Sequence, residues 1–485
     1  MKKLVISLII MLTATMAVMA QSEVDALRFS RIQYGGSARY WGLGGAYGAV
    51  GADFSSLSTN PAGMGLYKRS EISFTPTFFG AKASSTFNGS TADDSKNSFN
   101  IGNIGAVIVI DNPNSKSGSD WKNFQFGFGY NRLANYNASS LIKGTNSKSS
   151  LLVEYVKKAN GIAPADLGPY DVQLAYNANL IFRPDTTRNI YSADIPTPFP
   201  GINQMKSILT NGYLGETVFA GSGNYQDKVY FGAALGILSL RYEETTNLTE
   251  TNTGNKIPEL ISFNKYDYQL IRGTGINLKL GVIVRAADWL RLGVAVHTPA
   301  LYSKLNIDYT SSISSNFQTS SYNTVAKPKD PGQYTFDLTT PLKLIGSAAF
   351  IIGKSGLVSV DYEMVDYSKA LLQPSVDFTD ANQAIKDKYK NTSNLRIGGE
   401  YRLGQISFRG GYGLFGSPYK SNVNDGKGSL YSLGLGYRTA DYFVDCAYTS
   451  STMTENYYLY STDIANSASL KTTNNMFMVT FGLKF

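Results

Sequence analysis

The sequence predicts an all-β fold: a transmembrane antiparallel β-barrel of about 14 strands with an N-terminal plug, or hatch, in the lumen. Three observations predict it. From Arg69 onward apolar and polar residues alternate with a period of two, the mark of strands with two unlike faces. The alternating runs are about 10 to 20 residues long, where soluble strands average about 5 to 6 and a membrane-spanning strand needs about 9 to 11. The connections alternate between short turns and long polar loops, as in a barrel with one end in the periplasm and the other outside the cell.

Composition fits this class. Hydrophobic residues make up 43% of the 485 and charged residues only 16%, against about 25% charged in an average soluble chain. Tyr (33), Phe (25) and Gly (47) are abundant, as in a β-rich protein with tight turns. The net charge is +8, but Lys and Arg are scattered among acids with no basic block, so nucleic acid is not an expected partner. The single cysteine, Cys446, excludes an intrachain disulfide and a Cys-rich metal site.

In chain order, residues 1–20 read as a signal peptide: Lys2 and Lys3, the apolar stretch Leu4 to Met16, then Val18-Met19-Ala20 at the cleavage site. This exports the chain, and with the barrel pattern the expected destination is the outer membrane of a Gram-negative bacterium. No cysteine follows for a lipid anchor, and no later apolar run is long enough for a spanning helix. Residues 21–68 are Gly-rich and form the hatch. Within it, Asn60-Pro61-Ala62-Gly63 reads as a shaped turn rather than the start of a helix, because Pro61 drives Asn60 toward an extended conformation.

The barrel occupies 69–485, with strands expected near 69–80, 100–111, 122–136, 213–221, 228–246, 261–285, 289–310, 331–353, 356–369, 391–403, 405–416, 428–438, 441–452 and 472–485. The last strand is the clearest: Phe477, Val479, Phe481, Leu483 and Phe485 oppose Met478, Thr480, Gly482 and Lys484. Short turns fall at Ala286-Ala287-Asp288, Lys354-Ser355, Gln405 and Thr439-Ala440; long polar loops fall at 247–260, 311–330, 370–390, 417–427 and 453–471. The longest outer insertion, 137–212, contains a helix with Leu151, Leu152, Tyr155, Val156 and Ala159 on one face.

Lipid offers no hydrogen-bond partners, so the apolar face must meet lipid while a closed ladder satisfies the backbone. The polar face then lines the lumen. That places Arg285, Arg291, Asp361, Glu363, Arg396, Glu400 and Arg409 inside, together with Lys279, Arg402 and Asp445. These charges pair either with plug residues such as Arg31, Arg39 and Asp53 or with one another. The expected surroundings are outer-membrane lipid and lipopolysaccharide, and the C-terminal Phe485 is the expected contact with the barrel assembly machinery.

Gly35-Gly36-Ser37-Ala38-Arg39, Gly42-Leu43-Gly44-Gly45-Ala46-Tyr47 and Asn60-Pro61-Ala62-Gly63, followed by stretches such as Asp361-Tyr362 ahead of Tyr367-Ser368, resemble the FadL-type outer-membrane transporters of long-chain fatty acids and aromatic hydrocarbons. The resemblance implies a fourteen-stranded barrel, a hatch and a hydrophobic small-molecule substrate. It also implies lateral exit beside an inward-kinked third strand, with Asn60, Pro61, Ala62 and Gly63 in a hatch turn that gates the ligand. In the third strand, Gly127 and Gly129 either permit the kink or make room for the plug.

Other functions fit less well. A haem receptor would have to use His297 or a tyrosine as iron ligand. An unselective porin has no use for a plug. No Gly-x-Ser-x-Gly elbow is present, and Asp361 and Glu363 read as lumen charges rather than an acid–base couple. Gly42-Leu43-Gly44-Gly45-Ala46-Tyr47 lacks the strand–helix setting of a dinucleotide site. No catalytic, cofactor-binding or metal-binding residue is expected.

Overall fold

A computed structural model of the chain describes residues 23–117, 119–254, 256–421, 423–460 and 466–485. The expected signal peptide lies outside the described residues. Fourteen antiparallel passes form one closed sheet. They are β1 (Glu71–Phe87), β2 (Ser90–Asp111), β3 (Trp121–Asn135 continued by Ala138–Asn146), β4 (Ile202–Tyr225), β5 (Val229–Thr251), β6 (Leu260–Ala287) and β7 (Leu290–His297 with Leu301–Phe317). Then follow β8 (Gly332–Thr339 with Lys343–Ile352), β9 (Gly356–Asp366 with Leu371–Gln373), β10 (Asn391–Leu403), β11 (Ile406–Phe415), β12 (Gly428–Arg438), β13 (Tyr442–Tyr458) and β14 (Ser467–Lys484). Pairing of β1 with β14, from Glu71↔Lys484 to Thr86↔Ser469, closes the ring and removes the edge that lipid would not tolerate.

Side-chain alternation is laid out as a lipid-spanning wall requires. Phe74, Phe126, Phe231, Leu278, Leu280, Val294, Leu433 and Phe481 face outward and are exposed, while Glu216, Lys279, Asp361, Glu400 and Asp445 face inward and are buried. Pro299 and Pro341 fall in the interruptions of β7 and β8, where a residue without an N–H cannot continue a ladder. In β3 the interruption at Tyr136 and Asn137 has a different cause: the Asn135 side chain accepts the Asn137 N–H at 3.0 Å.

Several expected boundaries are corrected. Residues 81–99 are not a loop. β1 and β2 continue to a tight turn at Asn88-Gly89, with both residues at positive φ (47° and 82°). The outer insertion is 147–201 rather than 137–212, because 138–146 and 202–210 pair with each other in the sheet. It holds α-helices at Leu151–Ala159 and Val172–Asn177. These bury Leu152, Tyr155 and Leu174 against Leu248, Phe263 and Ile313 of the wall, forming a cap over the β4–β7 side of the outer mouth. The N-terminal residues fill the lumen through α1 (Glu23–Ser30), α2 (Ala38–Gly42), α3 (Ser56–Thr59) and a 3-10 helix, Pro61–Leu66.

Candidate functional site

The turn at Asn60 does begin a helix, contrary to the expectation from Pro61. Asn60 is extended (φ −142°, ψ 101°), and its side chain accepts the Ala62 N–H at 3.2 Å. It is thus an N-cap, with Pro61 at the first helical position, where its missing N–H is not needed. The Asn60 amide nitrogen also donates to Gly48 O at 2.7 Å, tying the turn to the Gly-rich segment.

The wall is shaped to receive this turn. A Cβ on Gly281 of β6 would lie 1.9 Å from Asn60 Oδ1, and one on Gly232 of β5 would lie 2.2 Å from the Pro61 carbonyl carbon. Gly398 and Gly411 make the same allowance for the Leu43-Gly44 backbone, at 2.3 and 2.2 Å. Gly127 likewise faces Leu57 and Met64, while a Cβ on Gly129 would meet Ile104 O at 2.3 Å. Both lie where β3 is still fully paired with β2 and β4, so these glycines provide clearance, and the strand breaks farther on, at 132–137.

Charges fasten the plug to this seat. The Asp361 carboxylate accepts the Tyr47 N–H and the Gly48 N–H, each at 2.8 Å. Arg291 donates to Val50 O at 2.9 Å. Arg39 meets Glu400 at 3.0 Å, and Glu400 also holds Arg409 at 2.6 Å, which passes on to Asp445 at 2.7 Å. Burial alone would lower the Arg39 pKa, but the adjacent Glu400 carboxylate outweighs it and holds the group well above its ordinary value. Glu363 and Arg396 pair within the wall at 3.3 Å. Lumen charges therefore pair both with the plug and with one another. Arg285 is the exception: it sits at the lower rim, largely in solvent, paired with exposed Asp288 at 3.0 Å, because β6 there has passed the plug and enters its hairpin turn.

Asp53 bonds only inside the plug, to Ser37 and Ser55. Arg31 reaches Glu455 of β13 at 2.8 Å. Sequence reasoning missed Glu216, which pairs with Lys279 and accepts from Ser58 Oγ at 2.6 Å. Leu214 and Val218 share its inward face and are fully buried, so the rule that apolar residues face lipid hid it.

Above the seat lies a cavity of about 410 Å³ between the N-terminal segment and the wall. Leu27, Ile32, Trp41, Phe79, Leu133 and Phe415 give it an apolar lining, with Arg28, Arg31 and Arg132 on its polar side. It reaches the one discontinuity in the β2–β3 ladder. Backbone pairing of β2 with β3 ends at Asn103↔Asn131, and beyond it Ala138–Asn146 is laddered to β4 alone. That pair meets residues 90–102 through side chains: Ser139 Oγ donates to the Asp94 carboxylate, and Lys96 Nζ donates to Thr210 O of β4 at 3.0 Å. Asn100 and Gly102 line the cavity from one lip and Arg132 to Tyr136 from the other, while Phe99 and Ile101 are exposed outside.

His297 offers no haem ligand. It is buried, its Nε2 lies 2.8 Å from Thr59 O, and the space beside it is about 20 Å³. Among the described residues no cluster of three or more His, Cys, Asp or Glu is placed to hold a metal.

No family model matches the sequence, and no curated protein matches it. Solved structures do. A Pseudomonas aeruginosa FadL homologue superposes with a TM-score of 0.57 at 12% identity, covering 94% of this chain and 99% of that one. The P. putida toluene transporter TodX gives 0.54 at 14%, and the Ralstonia pickettii toluene transporter TbuX gives 0.52 at 14%, each covering 93% of this chain and 99% of the other. The chain has the FadL-type fold, a β-barrel with its N-terminal segment in the lumen.

Proposed function

We propose that the protein carries hydrophobic small molecules across the outer membrane, long-chain fatty acids or aromatic hydrocarbons being the classes its structural neighbours suggest. The observation that carries this reading is the lumen cavity, apolar on one side and polar on the other, that ends at the break in the β2–β3 ladder. Ligand collects at the outer mouth, enters the cavity, and leaves sideways past Phe99 and Ile101 into the bilayer, where an apolar molecule need not cross water. The Asn60–Gly63 turn serves as a fixed floor in this reading: it packs so closely on Gly281 and Gly232 that neither has space for a Cβ. The part that yields is the N-terminal segment beside the cavity. The exposed Phe485, whose N–H donates to Ser70 O at 3.0 Å, is the terminus offered to the assembly machinery.

The test is uptake of radiolabelled oleate and of toluene by cells carrying the protein. Ser451→Trp, which fills the cavity from β13, is expected to lower uptake several-fold while ion conductance in planar bilayers stays low. Unchanged uptake would remove the cavity from the route. Large steady channels in the wild type would make the protein a porin.

A further inference from the structure

A second, smaller cavity of about 20 Å³ lies across the N-terminal segment from the first; Ile32 and Leu133 stand in the wall of both. Phe29, Leu214, Leu238 and Tyr302 make most of it apolar. At one end two polar side chains face it without partners: the His297 Nδ1 and the Lys343 Nζ, on residues only 2% and 4% exposed. They are register neighbours on β7 and β8. A buried ammonium and a buried ring nitrogen each carry a cost when nothing bonds them.

The chemistry of the pair is fixed by what surrounds it. Thr59 O can only accept, so His297 Nε2 carries the proton and Nδ1 is left as an acceptor. Lys343 can only donate. Tyr34 holds both in place, edge-on to the imidazole with ring centroids 5.0 Å apart and beneath the ammonium at 5.7 Å. Neighbouring charges are already engaged: Lys279 by Glu216, and Glu363 by Arg396 and Asn394. Among the described residues no carboxylate forms an ion pair with Lys343.

One group satisfies both atoms: a hydroxyl, which donates to Nδ1 and accepts from Nζ. An ionised carboxylate would set its negative charge against the Nδ1 lone pair, and a plain hydrocarbon would leave both atoms bare. We propose that His297 and Lys343 form a hydroxyl-recognition site, filled by one water at rest and by the hydroxyl of a neutral apolar alcohol or phenol in transit. The resting volume suits one water, which needs about 10–15 Å³ by the same measure. A larger guest enters when Phe29 and Ile32 move aside and the two cavities merge. The inference rests on the transport reading above and narrows its substrate class.

The test is calorimetric titration of the purified full-length mature protein with three rings of one shape: 4-methylphenol, toluene and 4-methylbenzoate. A hydrogen bond to a charged donor predicts that 4-methylphenol binds about tenfold or more tightly than toluene, with 4-methylbenzoate the weakest. Lys343→Met, which removes a buried cation that forms no ion pair with a carboxylate, erases the preference by bringing 4-methylphenol and toluene to equal affinity. His297→Gln keeps a donor for Thr59 O and narrows the preference; its toluene affinity reports that the protein is folded. Equal binding of 4-methylphenol and toluene, tighter binding of 4-methylbenzoate, or a preference that survives Lys343→Met would each overturn the site while leaving the transport reading intact. Binding of none of the three would overturn both.

Discussion

The lower and upper halves of the plug are held in opposite ways. From Arg39 to Gly65 the chain is bedded on glycines of the wall and tied by Asp361, Glu400 and Arg291, mostly through buried contacts. From Glu23 to Gly36 it is held at its outer end by ion pairs reaching solvent, Glu23–Lys388 and Arg31–Glu455, and it borders both cavities. Buried charge-assisted contacts are costly to break, whereas exposed pairs contribute little. On the proposed reading a transporter needs a stopper that stays in place and a surface that gives way, and the two tasks would fall to successive stretches of one segment.

Removing the whole segment is the coarsest way to break this comparison. Deletion of 21–64 is expected to leave a heat-modifiable, folded barrel with much larger conductance in planar bilayers and no selective uptake. Glu400→Gln attacks the lower half alone. It strips Arg39, Arg402 and Arg409 of a shared partner, and loss of one partner from a buried pair costs about 3–5 kcal/mol, to be read as a fall in denaturant midpoint and a rise in ion leak.

Gly281→Val is a steric version of the same attack. Its first new atom would fall 1.9 Å from Asn60 Oδ1, and overpacking of this kind costs about 1–3 kcal/mol. The control is Gly399→Val on the lipid face, where an added Cβ meets nothing nearer than Leu357 O at 3.7 Å; its stability and conductance should match the wild type. Arg31→Met, in the upper half, should change stability by less than about 1 kcal/mol yet speed ligand exchange, measured as the dissociation rate of bound toluene. If Arg31→Met leaked ions as freely as Glu400→Gln, the division of labour would not hold.

Much of this was legible in the chain before its fold. The alternation at 477–485 and 405–414 specified a lipid face because half of those residues are apolar, and that half is the exposed one. The Gly-rich run before Arg69 marked a segment that must approach backbone closely, and the wall glycines complete that approach. Strand ends outside the bilayer were not legible. Residues 81–99 and 138–146 are mostly polar, and the few apolar side chains they bury, such as Phe87 and Ile142, are too widely spaced to give either face an apolar signature. Asn60–Gly63 was misread because Pro61 argues equally for a turn and for a first helical residue, and only the Asn60 side-chain contact decides between them. The unpartnered atoms of His297 and Lys343 depend on what β7, β8 and the plug bring together, which no spacing encodes.

The account turns on sideways exit between β2 and β3. Cysteines at Asn100 and Ala134, one on each lip, in a Cys446→Ser background, can be joined by a short bifunctional thiol reagent that contains a cleavable disulfide. Joining them is expected to stop toluene uptake, and reduction of the linker to restore it. Uptake that continues at the same rate with the lips joined would mean that the molecule leaves by another way.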